Sequence, residues 1–119
     1  MKRILVVEDN EDNMCLVRFM LEETGYEVIE ARDGAEGVAL AVKEKPDLVI
    51  MDIQLPDIDG LEATKRIRAS EADGDIPIIA LTSFAMAGDR GKALAAGCTG
   101  YIEKPIDPDT FIAEIEKYL

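Results

Sequence analysis

Three carboxylates and two other polar groups stand directly behind apolar runs in this chain. Glu8 and Asp9 follow RILVV, Asp52 follows LVIM, Thr82 closes IIAL, and Lys104 comes just after YI and Glu103. If the runs ending at residues 7 and 51 are neighbouring strands, the three acids crowd one pocket. Two unit charges about 4 Å apart repel by ~4 kcal/mol at an effective dielectric of 20. A hard divalent cation, Mg²⁺ or Mn²⁺, relieves that repulsion, and an incomplete carboxylate shell completed by water is the usual way Mg²⁺ is held. Thr82 offers a hydrogen bond and Lys104 a mobile positive charge. Cation, ammonium and hydroxyl around one carboxylate are the parts that phosphoryl transfer uses to position and neutralise the transferred group. Asp52, aimed out of an apolar strand, then suits a nucleophile that takes a phosphoryl group as an aspartyl phosphate.

The elements that must position these residues alternate regularly. Residues 3–7, 27–31, 47–52, 76–82 and 99–103 are short and mostly rich in β-branched or other apolar types, which predicts five strands. The first, third and fourth are nearly continuous in apolar residues, as parallel strands covered on both faces are, while the second and fifth suit sheet edges. Helical spacing predicts helices over 11–24 (Met14, Val17, Leu21), 34–44 (Val38, Leu40, Val42), 61–70 (Leu61, Thr64, Ile67), 86–96 and 108–118 (Phe111, Ile112, Ile115). Gly25 and Gly97 read as helix stops, and Asp107 with Pro108 as an N-cap followed by proline at the first helical position. A five-fold strand–helix repeat implies right-handed crossovers and an open parallel α/β sheet with helices on both faces. In such sheets ligands bind outside the carboxyl ends of the strands, where all five polar groups fall. The fourth helix is expected to be weak, because Gly88 and Gly91 each cost about 1 kcal/mol relative to alanine.

Composition narrows the function. The 119 residues fit one domain, 1–119, and the formal charge of −12 repels nucleic acid and anionic membrane surfaces, so neither is expected as a partner. No apolar run approaches a membrane span and the start lacks a signal-peptide pattern, which predicts a cytoplasmic protein. Cys15 and Cys98 have no metal-ligand spacing and read as reduced thiols. The chain has no histidine, so it lacks the commonest general base and zinc ligand and supplies no phosphohistidine of its own.

The chain resembles a response-regulator receiver domain of two-component signalling, carried by the acidic pair in VVEDN, Asp52 in LVIMDIQLPDIDG, Thr82 in IIALTS and the lysine before proline in YIEKP. Within that family it is most similar to single-domain cell-cycle regulators and to receivers of hybrid histidine kinases. The resemblance implies the flavodoxin-like (βα)5 fold with a five-stranded parallel sheet in the order 2-1-3-4-5. It also implies that Asp52 is the phosphoacceptor, that Asp9 and Asp52 ligate Mg²⁺ directly, that Glu8 helps through water, and that the Gln54 carbonyl completes the protein ligands. Thr82, Ser83, Lys104, Ile53 and Gln54 form the implied phosphoryl-binding set, Thr82 and Tyr101 the implied switch. Gln54 and Phe84 occupy positions that tune access of water to the aspartyl phosphate.

The implied donor is a sensor histidine kinase or a histidine phosphotransfer protein. Output is expected through a protein contact on the fourth helix, fifth strand and fifth helix, from a monomer, since no exposed apolar stripe is expected on the helices. An alternative is a receiver-like interaction module that works without phosphate. Asp57, Asp59 and Gly60 spell the DxDG of haloacid-dehalogenase-type phosphatases, but Pro56 and the preceding loop separate them from the strand end, so both acids are expected to be solvated loop residues.

Overall fold

The computed structural model describes residues 2–70, 76–82, 89–104 and 106–119, with the backbone alone for 89 and 90. Ser83 and Phe84, with Gly88 and Pro105, lie outside the described residues.

Five strands and five helices alternate along the chain. They are β1 (Arg3–Val7), α1 (Glu11–Thr24), β2 (Glu27–Ala31), α2 (Gly34–Glu44), β3 (Leu48–Asp52), α3 (Gly60–Ser70), β4 (Ile78–Thr82), α4 (Asp89–Ala96), β5 (Gly100–Glu103) and α5 (Phe111–Glu116). All strand pairs are parallel and the order is β2-β1-β3-β4-β5, the order the resemblance implied.

Strand side chains alternate between the two faces, and each face has its own core. Ile4, Val6, Leu48, Ile50, Ile79 and Leu81 pack with Met14, Val17 and Leu21 of α1 and with Phe111 and Ile115 of α5. On the other face, Leu5, Val7, Val49, Met51, Ile78 and Ala80 pack with Ala41 of α2, Ala63 and Ile67 of α3 and Ala93 of α4. Every residue of β3 and β4 is buried, whereas β2 at the edge is only partly covered. Each fully buried Leu or Ile contributes about 1.5–3 kcal/mol, so the central strands are the best-anchored platform for anything at their ends.

Local signals account for most helix boundaries. The Asn10 side chain accepts from the Asn13 N–H at 3.0 Å to start α1, and Gly25, at φ 102°, closes it with the left-handed turn that glycine adopts without steric cost. Gly97, at φ 110°, does the same after α4.

Three expectations need correction. The α2 face was expected to rest on Val38, Leu40 and Val42; Val38 and Leu40 do pack, partly buried, against the core, but the fully buried residues are Gly34, Gly37 and Ala41, and Val42 is exposed. At its closest approach to the sheet the helix leaves no room even for a methyl group: a Cβ on Gly37 would come within 2.8 Å of Val7. The fifth helix was expected from residue 108. Instead Pro108–Thr110 form a turn in which the Asp107 carbonyl accepts from both Thr110 and Phe111, a tightened first turn, and the helix proper begins at Phe111. Finally, α1 does leave apolar groups exposed: Phe19, 62% exposed, and Leu16 sit three residues apart on one face. The premise of the monomer expectation therefore fails on that helix.

Candidate functional site: an acidic cluster at the carboxyl edge of the sheet

Parallel register brings the acids together. Val7 of β1 pairs with Met51 of β3, so the residues immediately following, Glu8 and Asp52, leave the sheet side by side. Glu8 stays tied to the sheet because its N–H donates to the Ala31 carbonyl at 3.0 Å. One carboxylate oxygen from each of Glu8, Asp9 and Asp52 falls within 4.8 Å of the others; Glu8 and Asp52 are buried and Asp9 is exposed. The Glu8 Oε2 atom is buried and has no hydrogen-bond partner among the described residues.

Lys104 reaches into the same place from the end of β5. Its Nζ donates to Glu8 Oε1 at 3.0 Å and lies 3.3 Å from Asp52 Oδ2. The Lys104 backbone is fixed by its N–H donating to the Thr82 carbonyl at 2.7 Å, so the two residues are set in place together. One ammonium facing two buried carboxylates leaves an excess of negative charge. Burial, reinforced by the adjacent Asp52, pushes the Glu8 carboxyl up from the usual range to about 7, with Lys104 opposing the shift.

Thr82, at the last position of β4, is buried. Ala80 pairs with Tyr101, and Thr82 lies two residues along on the same face, so the half-buried Tyr101 is its diagonal neighbour across β4 and β5. Past Asp52 the Ile53 N–H still continues the β3–β4 ladder, donating to the Leu81 carbonyl at 3.0 Å, and the chain then turns with the Gln54 N–H donating to Asp52 Oδ1 at 3.0 Å. Gly60 closes this loop, its N–H donating to the Ile53 carbonyl at 2.8 Å. The expected residues Glu8, Asp9, Asp52, Ile53, Gln54, Thr82 and Lys104 thus share one edge, with Tyr101 just behind it; Ser83 is outside the described residues.

Residues 4–116 match the family model for the response regulator receiver domain. The chain belongs to the receiver family. This receiver is 48% identical over 118 residues to the polar-differentiation response regulator DivK of Brucella anthropi, covering 99% of this chain and 96% of that one. Its fold superposes on the chemotaxis protein CheY4 of Vibrio cholerae with a TM-score of 0.94 at 32% identity, covering 100% of this chain and 99% of the other. A second neighbour is the receiver domain of the sensor histidine kinase PA1611 of Pseudomonas aeruginosa, described with a magnesium ion coordinated in its active-site cleft. It matches with a TM-score of 0.90 at 38% identity over 98% of this chain and 96% of that one. The receiver is a signalling domain, and among the described residues no helix is long and apolar enough to cross a membrane.

Two acids of the receiver have roles that the sequence reading missed. Asp57 and Asp59 were expected to be solvated loop acids. Both are exposed loop acids, and each has a structural role besides: Asp59 caps α3, accepting from the Glu62 N–H at 2.8 Å, and Asp57 accepts from the Gly34 and Ala35 N–H groups at 2.8 and 2.9 Å. Asp59 with Glu62 three residues later is a legible capping signal. Asp57 has none, because its partners lie more than twenty residues away. Neither carboxylate resembles a strand-end nucleophile, which removes the DxDG reading.

Proposed function

We propose that this receiver accepts a phosphoryl group on Asp52 from a phosphohistidine of a sensor histidine kinase or a histidine phosphotransfer protein, in a reaction that depends on Mg²⁺ or Mn²⁺. The observation that supports it most is the buried, unpartnered Glu8 Oε2 beside Asp9 and Asp52, because an all-oxygen set with one orphaned acceptor and surplus negative charge fits a hard divalent cation. Asp9, Asp52 and the Gln54 carbonyl would ligate that cation directly, with Glu8 acting through water. When bound, the cation supplies positive charge against the phosphoryl oxygens.

The chain's own groups account for the rest. An Asp52 oxygen attacks phosphorus, the new P–O bond forms as the P–N bond to the donor histidine breaks, and the histidine leaves with the electron pair and takes up a proton. Lys104, already within 3.3 Å of Asp52 Oδ2, holds a phosphoryl oxygen. Thr82 and the Ser83 backbone bind the remaining oxygens, with Ile53 and Gln54 lining the near side of the site and Phe84 limiting access of water. Slow hydrolysis reverses the state: water attacks phosphorus, inorganic phosphate leaves, and the Asp52 carboxylate is restored. Contacts of the phosphoryl group with Thr82 and Lys104 exist in one state only, which biases a two-state equilibrium reported by Tyr101 and read by a protein partner on α4, β5 and α5. The reaction belongs to the cytoplasm, where the kinase's ATP is.

Intact mass after incubation with acetyl phosphate, with Mg²⁺ or with EDTA, tests the reading in wild type and Asp52→Asn. A gain of one phosphoryl group that requires both Mg²⁺ and Asp52 is expected. No gain under any condition would overturn it in favour of an interaction module that works without phosphate.

A further inference from the structure

The loop between β3 and α3 carries Asp52's neighbours Ile53 and Gln54, yet it is fastened at a point remote from them. Its base is closed by the Gly60 N–H on the Ile53 carbonyl, with Gly60 packed so tightly that a Cβ there would stand 2.2 Å from the Asp52 carbonyl oxygen. Its tip is held by Asp57, whose two carboxylate oxygens accept separately from the Gly34 and Ala35 N–H groups at the start of α2. Ile58 seals the contact from above: a Cβ on Gly34 would lie 2.3 Å from its Cγ1. Helix α2 already has an N-cap of its own, since Asp33 accepts from the Glu36 N–H at 2.8 Å and Glu36 accepts in return from the Arg32 N–H at 2.7 Å. The two donors that this local box leaves over, Gly34 and Ala35, are the ones Asp57 takes.

We infer that Asp57 is a positioning residue, a tether through which α2 holds the β3–α3 loop so that the segment Ile53–Gln54 keeps its place at the acidic cluster. Three observations support a tether over a simple helix cap. The helix does not need Asp57 for its cap, because Asp33 supplies one. The bond spans two separate segments of chain, so it restrains the loop as much as it satisfies the helix. The loop is pinned at its other end by Gly60, so releasing the tip removes a long-range restraint on the residues between, including Gln54, whose N–H donates to the neighbouring Asp52 Oδ1 in a local contact. The two N–H groups hold the Asp57 carboxyl down at about 2, so the tether does not titrate near neutral pH.

This inference rests on the reading of Glu8, Asp9, Asp52 and the Gln54 carbonyl as a divalent-cation site, and its test separates the two. Mn²⁺ affinity is measured by electron paramagnetic resonance of the free ion, together with melting temperature, for wild type, Asp57→Ala, Asp57→Asn and Asp33→Ala. Asp33→Ala removes a cap from the same helix end and leaves the loop untouched. Asp57→Ala is expected to weaken Mn²⁺ binding at least threefold, Asp57→Asn less, because its one carbonyl oxygen still accepts, and Asp33→Ala not at all, although it lowers the melting temperature. Unchanged Mn²⁺ affinity in Asp57→Ala, or an equal loss in Asp33→Ala, would overturn the tether and leave Asp57 a helix cap, with the metal site standing. A wild-type chain that binds no Mn²⁺ would overturn the metal site and the tether with it.

Discussion

Lys104 Nζ stands nearer to Glu8 Oε1, at 3.0 Å, than to Asp52 Oδ2, at 3.3 Å. The ammonium is therefore shared, and the longer of the two buried acids holds it more closely. This arrangement leaves Glu8 with one neutralised oxygen and one orphan, and it makes stability depend on pH in a direction set by Glu8.

The Glu8 carboxyl is raised from 4.5 to about 7 in the folded chain, chiefly by burial. Between those values the folded state keeps a proton that the unfolded chain has released, so stability falls as pH rises through the window. The cost is absent below pH 4 and complete above pH 8. Each pKa unit is worth about 1.4 kcal/mol, and relaxation around Asp52 and Lys104 reduces the sum. Glu8→Gln is expected to gain about 1–3 kcal/mol over wild type at pH 8 without metal and nothing at pH 4, measured by urea unfolding at both pH values. A gain of equal size at both would show that packing, not charge, is responsible.

Removal of Lys104 should act in the opposite sense. The truncation leaves Glu8 and Asp52 buried without their ammonium, and uncompensated buried charge is costly. Lys104→Ala is expected to lose about 1–3 kcal/mol of metal-free stability at pH 7.5. Lowering the pH to 5.5, where Glu8 takes up a proton, should restore much of it, as should millimolar Mg²⁺. Thermal melts under the three conditions check this, and a deficit that neither proton nor cation repairs would mean that Lys104 acts through packing.

The platform of this site was legible in the sequence and its fastening was not. The unbroken apolar runs ending at Val7, Met51 and Leu81 predict buried parallel strands, and the residues after them could only fall at one edge of the sheet. Glu8, Asp52 and Thr82 needed no more than that. The bonds that hold the intervening loops have no local pattern. Asp57 binds amides in α2, and the small residues Gly34, Gly37 and Ala41 sit deepest on that helix while Val38 and Leu40 pack only partly buried and Val42 is exposed, because closeness to the sheet, not periodicity alone, decides what fits there. The run before it places Lys104 at that edge, but its bond to Glu8, 96 positions earlier, has no local signal.

Gly60 is set by contact and not by backbone conformation. A methyl group there would meet the Asp52 carbonyl oxygen at 2.2 Å and the Ile53 Cα at 2.7 Å, both backbone atoms that a rotamer change cannot move. Gly60→Ala is therefore expected to destabilise by about 1–3 kcal/mol and to displace Asp52 and Ile53 from their present positions. Urea unfolding measures the first effect, and the Mg²⁺-dependent rate of acetyl-phosphate labelling the second. Wild-type values for both would show that the loop gives way without disturbing the site.

Gly91 in α4 offers the converse case. Among the described residues nothing lies within 4 Å of a Cβ there, and Gly91 is exposed, so alanine meets no obstacle from them. Replacing glycine by alanine in a helix interior removes about 1 kcal/mol of backbone entropy cost, and Gly91→Ala should stabilise the chain by roughly 0.5–1 kcal/mol. If α4 shifts when Asp52 is phosphorylated, that stabilisation also restrains the shift. The variant should then show lower amide hydrogen exchange in α4, and a smaller change in exchange on phosphorylation than wild type. A gain in stability with an unchanged phosphorylation response would mean that α4 moves as a rigid unit and that its weak helix propensity has no part in the switch.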